Sequence, residues 1–600
     1  MGDQQTVVKA AYEPATSRVI LESNDYSPAW ITIWSTCYEL TDDVSSKSLT
    51  DLSLPGWVLF SIRDTIRFQV ELGALSFEPD ETVFAMLQRA RHDERDLTKA
   101  SEVQPIPLDE IIDRLRAVGF VRRLTDRQLQ NVARLTRLTA AAEFSVPGAG
   151  KTTTALAFYA LKRAPSDRLL VVAPINAFAP WEEQVALCFG SNAPGVVRLV
   201  GGADDISRTL AERPDVALIN YHRLAQPGVH QSVAAYLGTG NVFMFLDESH
   251  KIKRGEGGAW GNAVLSIAHL PKGKLVMSGT PLPNSEADLV AQLRFLHPEA
   301  DVDEGNVRSL IQPIFVRTTK AQLGLPDPIR RAVPIPLAPG QRRLYDLLSS
   351  EVARQAEESL TRRDRGSIRR LGRSVLRLLK FVSNPALLIG DLERSDIGRN
   401  LRDVLLDEDS RKIEYACIRA RSLAKEGKKC IIWSSFVDNV EVIASRLADI
   451  GADFIHGGVD IGSDEDDTRE RKIKLFHENP RRFVLVANPA AAGESISLHT
   501  VCHNAIYIDR TYNAAQFLQS EDRIHRVGLP DNVETEVEIL VAPRTIDNSV
   551  DRRLNQKVKV MSEVMNDPHL RIEAVDSDIS DDGLLDDDVI DFLESLKAPA

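Results

Sequence analysis

The sequence predicts an α/β fold with two parallel-sheet lobes, and three observations carry that prediction. A glycine-rich loop at residues 145–153 has a strand-like approach and a helix-like exit; an apolar strand at Val242–Leu246 runs straight into Asp247-Glu248; and a second series of apolar strands follows residue 411. In the first series, Arg168–Pro174, Val196–Val200, Asp215–Asn220, Val242–Leu246 and Lys274–Met277 alternate with helical patterns, the signature of a parallel sheet covered by helices. Lys428–Ser434, Phe483–Ala487 and Ala505–Asp509 repeat the alternation, with a helix over Val437–Ile450.

A chain of 600 residues exceeds what one core can bury, so it divides. The pattern gives an accessory module at 1–115, a nucleotide-binding lobe at 116–304, a helical insertion at 305–410, a second lobe at 411–572 and an acidic tail at 573–600. The accessory module reads as β-containing, with strand-like runs at Trp30–Trp34 and Trp57–Phe60, whereas Leu108–Leu138 reads helical. In the insertion the strand signal fades and Arg362, Arg363, Arg365, Arg369, Arg370, Arg373, Arg377 and Lys380 crowd together. Such density is consistent with a solvated helical face or with a surface for nucleic-acid phosphates.

The net charge of −13 does not exclude a polyanionic partner, because −9 of it lies from Glu573 onward and only −4 belongs to the rest. Cys37, Cys188, Cys417, Cys430 and Cys502 stand singly, without the paired spacing of zinc or disulfide frameworks. There is no N-terminal basic-then-apolar segment and no apolar run near the roughly 20 residues a membrane span needs. The expectation is a cytoplasmic monomer with no membrane partner.

The chemistry sits in Ser145-Val-Pro147-Gly148-Ala149-Gly150-Lys151-Thr152-Thr153. Glycines let successive backbone N–H groups face a phosphate, a Lys reaches the terminal phosphates and a Thr hydroxyl helps hold magnesium. Ala140–Val146 and Thr152–Arg163 supply the flanking strand and helix, with Ser145 standing where the strict pattern has Gly. Downstream, Asp247 is placed to hold the metal with Thr152, and Glu248 to orient or deprotonate the attacking water. The cofactor expectation is therefore ATP with Mg2+. Hydrolysis also needs a cation against the transferring phosphoryl group, and Arg523 and Arg526, three apart and expected on one helix face, offer it.

Taken together, these runs resemble the Swi/Snf-type ATPases of helicase superfamily 2, over about 430 residues from Gln128 to Lys557. Val171-Val-Ala-Pro174 with Trp181 and Ile219-Asn-Tyr221 resemble DNA-contacting motifs, and Ser278-Gly-Thr-Pro281 with Asn284 a coupling motif. Phe315-Val-Arg317-Thr-Thr-Lys320, Gln341 with Tyr345, Asn384-Pro385, Ile431–Phe436, Ala490–Leu498 and Gln519-Ser-Glu-Asp-Arg523-Ile-His-Arg526 continue the order. The resemblance implies two RecA-like lobes around a cleft, with Gln128, Gly493 and Gln519 as further nucleotide contacts. Ser249 in the acid box and Glu521-Asp522 are closer to the annealing-helicase-like branch, while Glu494-Ser495 and Leu529 depart from the family pattern. It further implies a DNA-stimulated, ATP-dependent translocase on double-stranded DNA. Strand separation on DNA or RNA, or a nucleotide-gated scaffold with little turnover, are the alternatives. A protein partner is expected to use the accessory module or the tail, and the tail's acids are candidates to occupy a basic groove.

Overall fold

The computed structural model describes residues 6–570 apart from 14–15, 17, 42, 363–364, 393–401, 406–407, 460–467, 493–495 and 530–532. The chain forms two compact units that meet at Thr319 and Lys320 in sequence. No helix among the described residues is long and apolar enough to cross a membrane. Gly493, the acidic tail and Arg363 lie outside the described residues, as do the side chains of Arg362, Arg365, Arg369 and Arg370.

The first unit opens with β1 (Thr6–Glu13), β2 (Arg18–Ser23), β3 (Asp51–Pro55) and β4 (Leu75–Pro79), in the order β3-β2-β1-β4. β1 pairs antiparallel with β2 and parallel with β4. The runs Trp30–Trp34 and Trp57–Phe60 are not strands; they lie in helices Pro28–Leu40 and Gly56–Glu71. The buried residues Trp30, Ile33 and Cys37 explain the first, since steps of three and four residues line one face of a helix. Ser27, accepting from the Trp30 N–H, and Pro28 in the first turn start it.

This module is seated on the rest of the unit through His269. The imidazole lies 5.6 Å from the ring of Tyr12 and 6.5 Å from that of Phe60, and a Cβ at Gly56 would stand 3.0 Å from it. Burial, reinforced by Lys274 and Arg89, pushes His269 down to about 3, so it is neutral throughout the physiological range. Arg89 of helix Glu81–Lys99 donates to the Pro271 carbonyl.

The larger sheet contains β5 (Ala140–Glu143), β6 (Arg168–Val172), β7 (Val196–Arg198), β8 (Val216–Ile219), β9 (Val242–Asp247), β10 (Gly273–Met277) and β11 (Phe315–Val316). All pairings are parallel, in the order β11-β5-β10-β9-β6-β8-β7. Both faces are helix-covered, and β8 and β10 are buried at every residue. The register sets Met277 level with Glu143 on one side and Asp247 on the other. The glycine-rich loop, the Ser278–Pro281 segment and the acid box therefore leave three adjacent strands at one carboxyl edge, where open α/β sheets bind ligands.

The second unit carries β12 (Ile329–Pro334), β13 (Cys430–Trp433), β14 (Ala452–Ile455), β15 (Val484–Ala487), β16 (Asn504–Tyr507) and β17 (Glu536–Val541), all parallel, in the order β12-β17-β16-β13-β15-β14. Trp433 and Tyr507 stack at its centre with ring centroids 6.3 Å apart. Both parallel sheets match the expected two-lobe α/β fold. The stretch after residue 305 contributes a strand to each sheet, β11 and β12, before helices Pro339–Arg362 and Arg365–Ser383. These strands are legible poorly because β11 has two residues and β12 sets two consecutive arginines, Arg330 and Arg331, in a run of only six that ends in Pro334. On the second of those helices Arg373 and Arg377 are exposed and Lys380 half-buried.

Candidate functional site

The loop between β5 and helix Lys151–Lys162 turns on two glycines with positive φ, Gly148 at 89° and Gly150 at 84°. Gly150 caps the helix in the left-handed conformation, leaving the first-turn N–H groups facing outward for an anion. Lys151 Nζ rests 3.2 Å from the Ser145 carbonyl. Thr153 is buried and donates to Gln184 Oε1 at 2.9 Å, whereas Thr152 is half-buried at the helix start. That contrast favours Thr152 over Thr153 as a metal-facing hydroxyl.

Gln128 reaches this loop from helix Asp126–Leu135. Its Nε2 donates to the Ala149 carbonyl at 3.0 Å, while its Oε1 closes a capping box on the Thr125 N–H. Beneath the loop lies a polar cluster that motif reading does not single out. Glu143, fully buried, accepts from the Ser145 N–H at 3.1 Å and from Asn131 at 3.4 Å. Asn131 also donates to Thr318 Oγ1 at 3.1 Å, and the Thr318 N–H donates to Ser145 Oγ at 2.8 Å. Burial pushes the Glu143 carboxyl up to about 7, against the pull of the Ser145 bonds and the Lys151 ammonium.

The acids sit at the end of β9. Asp247 Oδ2 accepts the Trp181 indole N–H at 2.9 Å, Oδ1 accepts the Glu248 N–H at 3.0 Å, and the Asp247 carbonyl accepts from the Tyr221 hydroxyl at 2.7 Å. Burial and the adjacent Glu248 raise the Asp247 carboxyl to about 6, opposed by Trp181 and Lys151. Trp181 is 0% exposed and Tyr221 3% exposed; in this structure Trp181 supports the Asp247 carboxylate and Tyr221 its backbone carbonyl. Glu248 has φ 50° and ψ 52°, a left-handed conformation that costs a non-glycine residue about 1 kcal/mol or more. Its Oε2 is buried without a hydrogen-bond partner, 3.4 Å from His250 Nδ1, a separation too long to count as a good bond. An acceptor left open in this way fits a residue that takes a hydrogen bond from water.

Two bridges tie the acid box to the end of β10. His250 Nδ1 lies 3.0 Å from Ser278 Oγ, and Ser249 Oγ donates to Gln292 Oε1 at 2.6 Å. Gln292 Nε2 donates in turn to the Pro281 carbonyl at 2.6 Å. Gly279 approaches the phosphate loop so closely that a Cβ there would stand 2.8 Å from Pro147 Cδ and 3.5 Å from Lys151 Nζ. Thus Lys151, Thr152, Gln128, Asp247 and Glu248 come together in the first unit with Pro147, Gly148, Ala149 and Gly150. The residue types present suit a metal-bound triphosphate: a carboxylate and a hydroxyl for the cation, an ammonium and helix N–H groups for the phosphates.

In the second unit Gln519, 7% exposed, lies on helix Ala514–Glu521. Arg523 and Arg526 do not share a helix face, because the helix ends at Glu521 and a series of turns follows. Side-chain anchors hold those turns. Glu521 takes two 2.7 Å bonds from Arg330, Asp522 lies 2.5 Å from Lys320 Nζ, and His525 Nε2 is 2.7 Å from the Pro326 carbonyl. Arg523 donates to the carbonyls of Gln519 at 3.0 Å and Ile496 at 3.2 Å, so it also braces the segment after Gly493. Arg526 is half-buried just before Gly528, whose φ is 96°.

Residues 145–303 match the SNF2-related domain, and residues 412–528 match the helicase conserved C-terminal domain. The DNA excision repair protein ERCC-6-like of Mus musculus is 23% identical over 68% of this chain and 38% of its own length. The DNA annealing helicase and endonuclease ZRANB3 of Mus musculus is 20% identical over 72% of this chain and 40% of its own. The chain thus spans about two fifths of the length of these curated relatives. The solved Sulfolobus solfataricus SWI2/SNF2 ATPase core in complex with dsDNA aligns at 20% identity over 75% of this chain and 94% of that one, with a TM-score of 0.32. The phosphate loop and acid box thus lie inside the segment that matches the SNF2-related domain, and the Arg523–Arg526 turn inside the segment that matches the helicase conserved C-terminal domain.

Proposed function

We propose that the chain hydrolyses ATP to ADP and phosphate in response to nucleic acid, and uses the cycle to translocate on double-stranded DNA. The observation that carries the hydrolytic part is Glu248: a carboxylate oxygen buried without a hydrogen-bond partner, one residue from Asp247, at the sheet edge that also carries the phosphate loop. Helix N–H groups and Lys151 bind the triphosphate, and Gln128 at Ala149 contributes to the nucleotide's base end. Magnesium, held by Thr152 and Asp247, would neutralise charge on the phosphate oxygens. Glu248 accepts a hydrogen bond from the attacking water and turns its lone pair toward the terminal phosphorus. Arg526 is the cation assigned to the transferring phosphoryl group, and Arg523 holds the turn that carries it. The choice of duplex DNA as track rests on the family; contacts to phosphates alone are sequence-blind and permit movement along the strand.

The test is ATP turnover with duplex DNA, single-stranded DNA, branched DNA and RNA. Turnover should rise with duplex DNA, and Lys151→Ala or Glu248→Gln should abolish it while DNA binding persists. Turnover indifferent to every nucleic acid rejects the reading; release of a labelled strand from a blunt duplex would move it from translocation to strand separation.

A further inference from the structure

Glu248 is held by what flanks it in the chain, with His250 Nδ1 standing 3.4 Å from its Oε2. Its backbone lies in the left-handed region at φ 50°, and its Oε2 has no hydrogen-bond partner. A strained residue persists only where its surroundings fix it. The next residue, Ser249, is 0% exposed and spends its hydroxyl proton on Gln292 Oε1 at 2.6 Å.

Gln292 is equally buried, and its amide nitrogen donates to two carbonyls, Pro281 at 2.6 Å and Asp288 at 2.9 Å. Two carbonyl partners on one nitrogen fix which way the amide points, so Oε1 is committed to Ser249. The amide stands on helix Val290–Leu296, a rigid element, and reaches both the acid box and the segment leaving β10. His250, on the far side of Ser249, is tied to Ser278 at 3.0 Å. The chain after Glu248 is thereby pinned at two consecutive residues.

We infer that Ser249 and Gln292 form a positioning unit for hydrolysis: together they hold Glu248 in its left-handed conformation and so aim its carboxylate at the attacking water. This rests on the role given to Glu248 above. Neither residue touches nucleotide; each acts through Glu248. A misplaced general base loses rate while the substrate still binds, because binding belongs to the loop at Gly148–Thr152.

The experiment compares Ser249→Ala, Gln292→Leu, the double variant and Glu248→Gln for kcat, KM for ATP and melting temperature, in the full chain with duplex DNA present. Ser249→Ala should lower kcat on the order of tenfold, with KM within about twofold of the parent. The double variant should be no slower than the slower single, since both remove one interaction. A Ser249→Ala enzyme with parental kcat, a loss confined to KM, or a double variant whose losses multiply overturns the inference. Should Gln292→Leu not fold, Ser249→Ala decides alone, as it deletes a single oxygen. Parental turnover in Glu248→Gln is a different outcome: it removes the role assigned to Glu248 itself.

Discussion

The Gln128 amide nitrogen occupies the space where a side chain at position 150 would begin: a Cβ on Gly150 would stand 2.2 Å from it. The same nitrogen bonds the Ala149 carbonyl at 3.0 Å, so Gln128 and Gly150 are interdependent. Gly150→Ala meets this clash and a φ of 84° at once. It should destabilise the first unit by about 2 kcal/mol or more and raise KM for ATP at least on the order of tenfold. Adding Gln128→Ala should recover part of the stability only, since the φ penalty stays. Chemical denaturation with KM measurement checks both, and an unchanged KM would count against the loop as the phosphate site.

Glu143 sets a pH dependence of stability. Its carboxyl rises from the ordinary 4.5 to about 7 on folding, so the folded state prefers the neutral form. The group therefore opposes folding increasingly as pH climbs from about 4.5 through 7, reaching about 3 kcal/mol above both values. Glu143→Gln should stabilise the first unit at pH 8 and be nearly neutral at pH 4.5. Equal effects at the two pH values in urea unfolding would show that the buried charge is not what matters.

Trp181→Phe removes the indole N–H that favours the charged form of Asp247 while keeping an aromatic ring in the core. Asp247, already about 6, should rise further. The acidic limb of the kcat/KM profile then moves to higher pH, so activity falls more at pH 6.5 than at pH 8.5. A uniform loss at all pH values would assign Trp181 to packing alone.

Arg330 and Glu521 form the principal anchor of the turn before Arg523. Burial alone would raise the Glu521 carboxyl, but Arg330 and then Lys320 hold it down to about 2. A depressed carboxyl contributes stability above its ordinary 4.5 that is lost as pH falls toward 2. Arg330→Met strands that charge and should cost the second unit about 3 kcal/mol at pH 7, with the gap to the parent narrowing below about pH 4.5. Unfolding followed by the fluorescence of buried Trp433 would measure it; a constant gap across pH would exclude the charge pair as cause.

The residues proposed to handle phosphate are legible because their chemistry restricts both type and spacing. Lys151 must follow Gly150, and Asp247 with Glu248 must end a buried strand, so the loop and the acid box stand out unaided. The supports around them are not legible. Glu143 is one acid ending an alanine strand, and Asn131 and Gln292 are single amides on helices; only the register of β5, β10 and β9 brings them to the site. Trp181 has the position of a DNA-contacting residue but is buried against Asp247, which spacing along the chain does not reveal. In the N-terminal module, β-branched and aromatic side chains imitate strands at Trp30–Trp34, and the burial of Trp30, Ile33 and Cys37 along one face decides for helix.

The seating of His269 bears on how this enzyme can be cut. Both ring nitrogens are enclosed without partners under Tyr12, Phe60 and Gly56, and Arg89 covers the nearby Pro271 carbonyl. Trimming the chain to the SNF2-related match at 145–303 would strip that cover and open a sticky, half-polar scar beside the start of β10. A fragment that keeps this cover therefore begins before β1, and a protease that nicks the first hundred residues should loosen the parallel sheet of the first unit near the start of β10.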